Sequence, residues 1–152
     1  MHYVIALLPM ALYAGAAFLG LLGVELPFAS AELQPLAQWM LFLSLACQSL
    51  WAGYAHIFYT ERVAQSIGWA ASPFQHEIGA ANLGIGLGAI AASILGLTAA
   101  WAIFFVAASF SWGAAAVHIS DMFRKGNFAI NNVGPILWWD ILTPLTLLIA
   151  LL

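Results

Sequence analysis

The chain has 152 residues, of which 64% are hydrophobic and 6% are charged, and its formal net charge is −3 at pH 7. A soluble domain contains about 25% charged residues, so this chain has too few polar groups to cover a core that faces water. The composition therefore indicates an all-α integral membrane protein in contact with the lipid bilayer. With three basic residues, the chain also lacks the positive surface that nucleic-acid binding requires.

Five apolar segments have a length close to the roughly 20 residues that a transmembrane helix needs. They cover residues 4–24, 36–59, 73–95, 98–122 and 134–152. We therefore expect a polytopic protein with five transmembrane helices in a single transmembrane domain, residues 1–152. Between the third and fourth segments only a tight turn is expected. The sequence SPFQ at residues 72–75 predicts a capping box, with Ser72 and Gln75 as the capping pair, at the start of the third helix.

The basic residues predict the orientation of the chain in the membrane. Arg62 lies between the second and third segments, and Arg124 and Lys125 lie between the fourth and fifth. With five spans these two loops are on one side, which the positive-inside rule assigns to the cytoplasm. The loop that carries Glu25 and Glu32 is then outside. We expect an inner-membrane protein with a cytoplasmic N-terminus and an external C-terminus.

An internal repeat is predicted by comparing the chain with itself at an offset of 62 residues. The scarce residues that coincide are Trp39 with Trp101, His56 with His118, and Arg62 with Arg124. Residues 36–97 and 98–152 would then be two copies of a helical hairpin that together form a four-helix bundle. Both copies start on the same side, which predicts a parallel repeat. Residues 1–35 would add an N-terminal helix and an outer loop.

Four of the predicted spans each contribute one ionisable side chain to an expected cluster near the cytoplasmic end. His56 and His118 each precede an arginine by six residues, which places them about 9 Å from the membrane surface. Glu77 and Asp140 come from the third and fifth spans. Ionisable groups inside a bilayer usually pair, bind a ligand or move protons. The further candidates in this region are Asp121, His76 and Glu61, and His2 is expected at the same end of the bundle.

Imidazole nitrogens and carboxylate oxygens are ligands for transition metals. The sequence therefore predicts that His56, Glu77, His118 and Asp140 bind Fe, Zn, Mn or Cu for redox or metal-assisted chemistry. One alternative is a b-type haem protein with His56 and His118 as the axial ligands. Others are a proton- or metal-coupled transporter and a structural subunit of a larger membrane complex or homo-oligomer. A metal-free arrangement would pair each histidine with a carboxylate.

Overall fold

The computed structural model describes residues 2–152, with side chains from Ala6 onward. In this part of the chain the regular elements are all helical, and there is no strand. The helices are α1 (His2–Leu21), α2 (Pro35–Phe58), α3 (Thr60–Ile67), α4 (Phe74–Leu95), α5 (Leu97–Lys125) and α6 (Ile130–Leu151). The predicted all-α class is therefore confirmed.

Four of these helices, α2, α4, α5 and α6, are long and apolar enough to cross a membrane. They coincide with four of the predicted spans, and they indicate a membrane protein whose outer surface contacts lipid. Helix α1 is a shorter apolar helix over Ala6–Leu21, the part that has described side chains. A fifth crossing by α1 stays a prediction.

The middle of α2 departs from regular α-helix geometry. Residues Met40–Cys47 form a π-helical segment, a rare form that inserts extra chain into a helix and occurs frequently at functional sites. Within it, the Ser44 hydroxyl bonds the Thr143 hydroxyl at 2.8 Å, and the Ser44 carbonyl accepts the Trp139 indole N–H at 3.1 Å. These bonds connect α2 to α6 through buried polar groups.

Helices α2 and α4 approach each other closely at two glycines. A Cβ added to Gly53 would lie 2.9 Å from the Gly79 carbonyl oxygen, and one added to Gly79 would lie 3.1 Å from the Gly53 oxygen. Small residues allow this approach in membrane helices, where backbones pack with few intervening side chains. The crossing positions His56 on α2 beside the first turns of α4.

The turn between α4 and α5 is as tight as predicted. Gly96 has φ +94°, a backbone conformation that a residue without a Cβ adopts at little cost. Glu32, from the loop before α2, accepts the Leu97 backbone N–H at 2.9 Å. This carboxylate satisfies one of the free N–H groups at the start of α5.

The predicted capping box at residues 72–75 is wrong. Helix α4 begins at Phe74 after Pro73, and no side chain caps its first turn. The Gln75 side chain is buried, and its amide oxygen lies 2.6 Å from Nδ1 of His56. The His56 imidazole therefore donates its N–H to Gln75, the residue that the sequence pattern predicted as a helix cap.

The duplication of a helical hairpin stays a prediction. The two halves differ locally, because α2 contains the π-helical segment and is followed by the eight-residue helix α3. Helix α5 runs for 29 residues as regular α-helix, and a short loop separates it from α6.

Candidate functional site

A cavity of about 400 Å³ lies between the long helices, at the end of the bundle where α3 is located. Helix α2 lines it with Gln48, Ala52 and His56, which are four residues apart and so lie on one face of the helix. Helix α5 lines it in the same spacing with Phe110, Ala114 and His118. The cavity is thus bounded by a face of each helix that carries one histidine.

Helix α3 closes the loop end of the cavity. Its residues Val63, Ser66 and Ile67 line the cavity, whereas Glu61 and Gln65 on its other face are exposed. This amphipathic pattern is that of a helix lying with its apolar face against the bundle.

The hydrogen bond between His56 and Gln75 fixes the proton position on the His56 ring. The Gln75 amide oxygen, 2.6 Å from Nδ1, can only accept a hydrogen bond, so Nδ1 carries the proton. In the neutral ring Nε2 is then the unprotonated nitrogen, which can accept a hydrogen bond or bind a metal. Within the described residues no hydrogen bond engages Nε2 of His56.

His118 is held in the same way by an amide from the chain that follows its helix. Its Nδ1 lies 2.7 Å from the Asn132 amide oxygen. The Asn132 amide nitrogen donates to the carbonyls of Asn127 at 2.8 Å and His118 at 3.3 Å, which sets the orientation of this fully buried amide. Nε2 of His118 is therefore also left as an acceptor facing away from its amide partner.

Two further polar side chains in the cavity wall are deeply buried. Asp140 and Gln48 are each 3% exposed, and both line the cavity. Among the described residues, no basic side chain or hydrogen-bond donor reaches the Asp140 carboxyl group. The Gln48 amide oxygen also lacks a hydrogen-bond partner within the same part of the chain. Buried polar groups without partners are rare, and both residues line a space large enough for a ligand.

The structure brings three of the four predicted metal ligands to this cavity: His56, His118 and Asp140. Glu77 is exposed and does not line it. Across the described residues, no group of three or more His, Cys, Asp or Glu side chains is close enough to hold one metal ion. The geometry therefore gives a metal centre no support, and metal binding stays a prediction.

The other ionisable candidates lie outside the cavity. His76 and Glu61 are exposed. Asp121 is buried and accepts hydrogen bonds from the Trp69 indole at 2.6 Å and from Lys125 at 2.7 Å. The side chain of His2 lies outside the described part of the chain.

The metal-free alternative, in which each histidine pairs with a carboxylate, is not what the structure shows, because both rings donate to amide oxygens of Gln75 and Asn132. Sequence reasoning missed these amides as partners of the histidines. An available signal was that an amide inside or beside an apolar span needs a hydrogen-bond partner. The same signal applies to Gln48, which precedes His56 by eight residues on the same helical face.

Fold and site together define a helical membrane protein with a cavity between its helices that is lined by imidazole, carboxyl and amide groups. Residues 2–152 match the family of unknown function DUF6790, and the chain belongs to this family. Comparisons with curated proteins and with solved structures gave no match.

Proposed function

We propose that this protein is a membrane-embedded binding protein whose cavity holds a small organic molecule with an apolar body and a polar head. The observation that carries the proposal is the cavity of about 400 Å³ between four helices of membrane-crossing length. Ligand cavities in proteins are typically about 300–1,000 Å³, mostly apolar, with a few polar groups that orient the ligand.

The polar groups of the wall are suited to a molecule that reaches several of them at once. His56, His118 and Asp140 line the same cavity but do not meet at one point that an ion could occupy. A molecule several ångströms across can contact all three. Its apolar body would lie against Phe110 and Ile78, which also line the space.

The test compares two substitutions on α5. Ala114 lies between Phe110 and His118 on the cavity face, so Ala114→Phe fills part of the space. Ala116 is exposed on the same helix and does not line the cavity, so Ala116→Phe is the matched control. Mass spectrometry of organic extracts should find a stoichiometric small molecule in the wild type and in Ala116→Phe, and much less of it in Ala114→Phe.

Extracts that contain only bulk lipid, together with a wild type that binds none of a panel of small aromatic probes, would contradict the proposal. A molecule that is equally abundant in Ala114→Phe would place its binding site elsewhere. Both variants should unfold at similar temperatures in detergent, because neither phenylalanine enters the buried packing between helices.

A second candidate is b-type haem binding with His56 and His118 as axial ligands. One observation favours it: both rings line one cavity from different helices, and both have Nδ1 engaged and Nε2 unengaged. Metal-binding histidines usually have their second nitrogen held in this manner. A Soret band in the purified protein that disappears in His118→Ala would support haem, and its absence after haem addition would eliminate it.

We also propose that the loops with Arg62 and Arg124 lie in the cytoplasm and that the protein resides in an inner membrane. The support is the distribution of charge, since Arg62 lies between α2 and α4 and Arg124 and Lys125 end α5 just before its connection to α6. The cavity would then lie in the cytoplasmic half of the bundle.

A further inference from the structure

We infer that the ligand of this cavity is an organic cation, a protonated amine attached to an apolar body, and that Asp140 is its counter-ion. The inference rests on the proposed binding function and specifies the chemistry of the bound molecule. It follows from three properties of the cavity: its unpaired carboxyl group, its two unprotonated imidazole nitrogens and its aromatic walls.

Asp140 is an acidic residue of the cavity wall, and no lysine or arginine of the described chain lines the cavity. Asp140 is 3% exposed, whereas Arg62, Arg124 and Lys125 are exposed and none of them lines the cavity. In the described part of the chain, the one ion pair joins Lys125 to Asp121, outside this space. A buried carboxylate is stabilised by a partner of opposite charge, and within the described residues this protein brings none to Asp140. A cationic ligand would supply it.

Four hydrogen-bond donors of the cavity wall are already used within the protein. The indole N–H groups of Trp69 and Trp139 donate to Asp121 and to Ser44. The Nδ1–H groups of both histidines donate to amide oxygens.

Three acceptor groups of the wall remain for a ligand: Nε2 of His56, Nε2 of His118 and the Asp140 carboxyl group. Among the described residues, the Gln48 amide nitrogen and the Trp51 indole N–H are the unused donors beside them. An ammonium group has three N–H donors and no acceptor, so it complements these acceptors, whereas a carboxylate or phosphate head would meet like groups.

The walls add an attraction that is specific for cations. Trp51, Trp69, Trp139, Phe74 and Phe110 line the cavity. Aromatic rings attract a cation through their quadrupole, most strongly where water is excluded. The same rings provide an apolar surface for the body of an amine, which a hydrated inorganic ion would not use.

The experiment uses phenethylamine, phenethyl alcohol and phenylacetate as probes, which share a phenyl ring and a short chain and differ in the charge of the head. Binding to the full-length protein in lipid nanodiscs is measured by calorimetry and by quenching of tryptophan fluorescence. The wild type should bind the amine at least about tenfold more tightly than the alcohol and should bind phenylacetate more weakly than either.

Asp140→Asn should remove the preference for the amine over the alcohol while leaving binding of the alcohol intact. Glu77→Gln removes the same unit of charge from an exposed position outside the cavity, so it should leave the preference unchanged. Equal loss of preference in both variants would assign it to general surface charge and overturn the inference.

The outcomes separate this inference from the proposed function. If the wild type binds the amine and the alcohol equally well and Ala114→Phe weakens both, the cavity binds ligands but the cation assignment is wrong. If no probe binds and no molecule is extracted, both proposals fail. If Zn²⁺ or Cu²⁺ alone binds at one equivalent and blocks the amine, the cavity is a metal site, which overturns the inference even if Asp140→Asn fails to fold.

Discussion

The indole ring of Trp69 lies nearly parallel to the imidazole of His118, with 5.6 Å between the ring centroids and 18° between the ring planes. Trp69 belongs to the segment between α3 and α4, and His118 belongs to α5. The indole N–H donates to Asp121, three residues after His118 on the same face of α5. The carboxylate therefore positions the indole over the imidazole that lines the cavity.

Replacing Asp121 should release Trp69. Asp121→Ala leaves the indole N–H without its acceptor, and we expect a loss of about 1–3 kcal/mol in the free energy of unfolding. Asp121→Asn keeps an acceptor and should lose less. Chemical denaturation in detergent gives the stability, and the ring-current shift of the His118 protons reports whether the rings remain stacked.

Lys125→Ala separates this effect from the ion pair. The Lys125 side chain is 70% exposed, and exposed pairs contribute about 0–1 kcal/mol. A loss in Lys125→Ala as large as that in Asp121→Ala would show that the ion pair, and not the indole bond, is the important contact.

Gln75 should determine the proton position on His56. Gln75→Leu removes the acceptor of the Nδ1–H group, so the Nδ1-protonated form should decrease, and stability should fall by about 1–3 kcal/mol. Nitrogen chemical shifts of the labelled ring measure the proton position. Gln65→Leu on the exposed face of α3 is the control. An unchanged His56 spectrum in Gln75→Leu would refute the role assigned to this amide.

The glycine crossing between α2 and α4 should be intolerant of one added methyl group. In Gly53→Ala the Cβ would lie 2.8 Å from the Leu83 side chain and 2.9 Å from the Gly79 oxygen, and overpacking of this kind costs about 1–3 kcal/mol. For Gly84→Ala on α4 no atom lies within 4 Å of the new Cβ. That variant should be neutral or up to about 1 kcal/mol more stable, and thermal unfolding of both variants checks the difference.

The proposed orientation places the α1–α2 loop and the α5–α6 loop on opposite sides of the membrane. Ala31 and Phe128 are exposed residues of these loops. In a Cys47→Ala background, a membrane-impermeant thiol reagent added outside intact cells should label Ala31→Cys and should label Phe128→Cys only after the cells are opened. The reverse pattern would invert the orientation.

The helices were predictable because hydrophobic length alone defines a membrane-crossing segment. The presence of His56, His118 and Asp140 in one cavity was also predictable, since ionisable groups in apolar spans face the bundle interior. The hydrogen-bond partners of the two histidines could not be predicted from the sequence. An amide such as Gln75 reads equally well as a helix cap, and only the packing of α2 on α4 brings its oxygen to an imidazole.

The π-helical segment also could not be predicted by comparing the chain with itself. An offset of 62 residues without gaps pairs Met40–Cys47 with a stretch of α5 that is regular α-helix. Extra residues in a π-helical turn change which face the following residues occupy. If Trp39 and Trp101 occupy the same face of their helices, His56 and His118 therefore cannot also do so, because the π-helical segment lies between Trp39 and His56.

The close contact of Gly53 with Gly79 has a consequence one helical turn away. His56 follows Gly53 by three residues, and Gln75 precedes Gly79 by four. The separation of the two backbones at the glycines therefore sets the distance between the His56 imidazole and the Gln75 amide. A methyl group at Gly53 would meet Leu83 and the Gly79 carbonyl, and a wider helix spacing would lengthen the bond between His56 and Gln75. The helix spacing thus sets which nitrogen of the neutral His56 ring carries the proton.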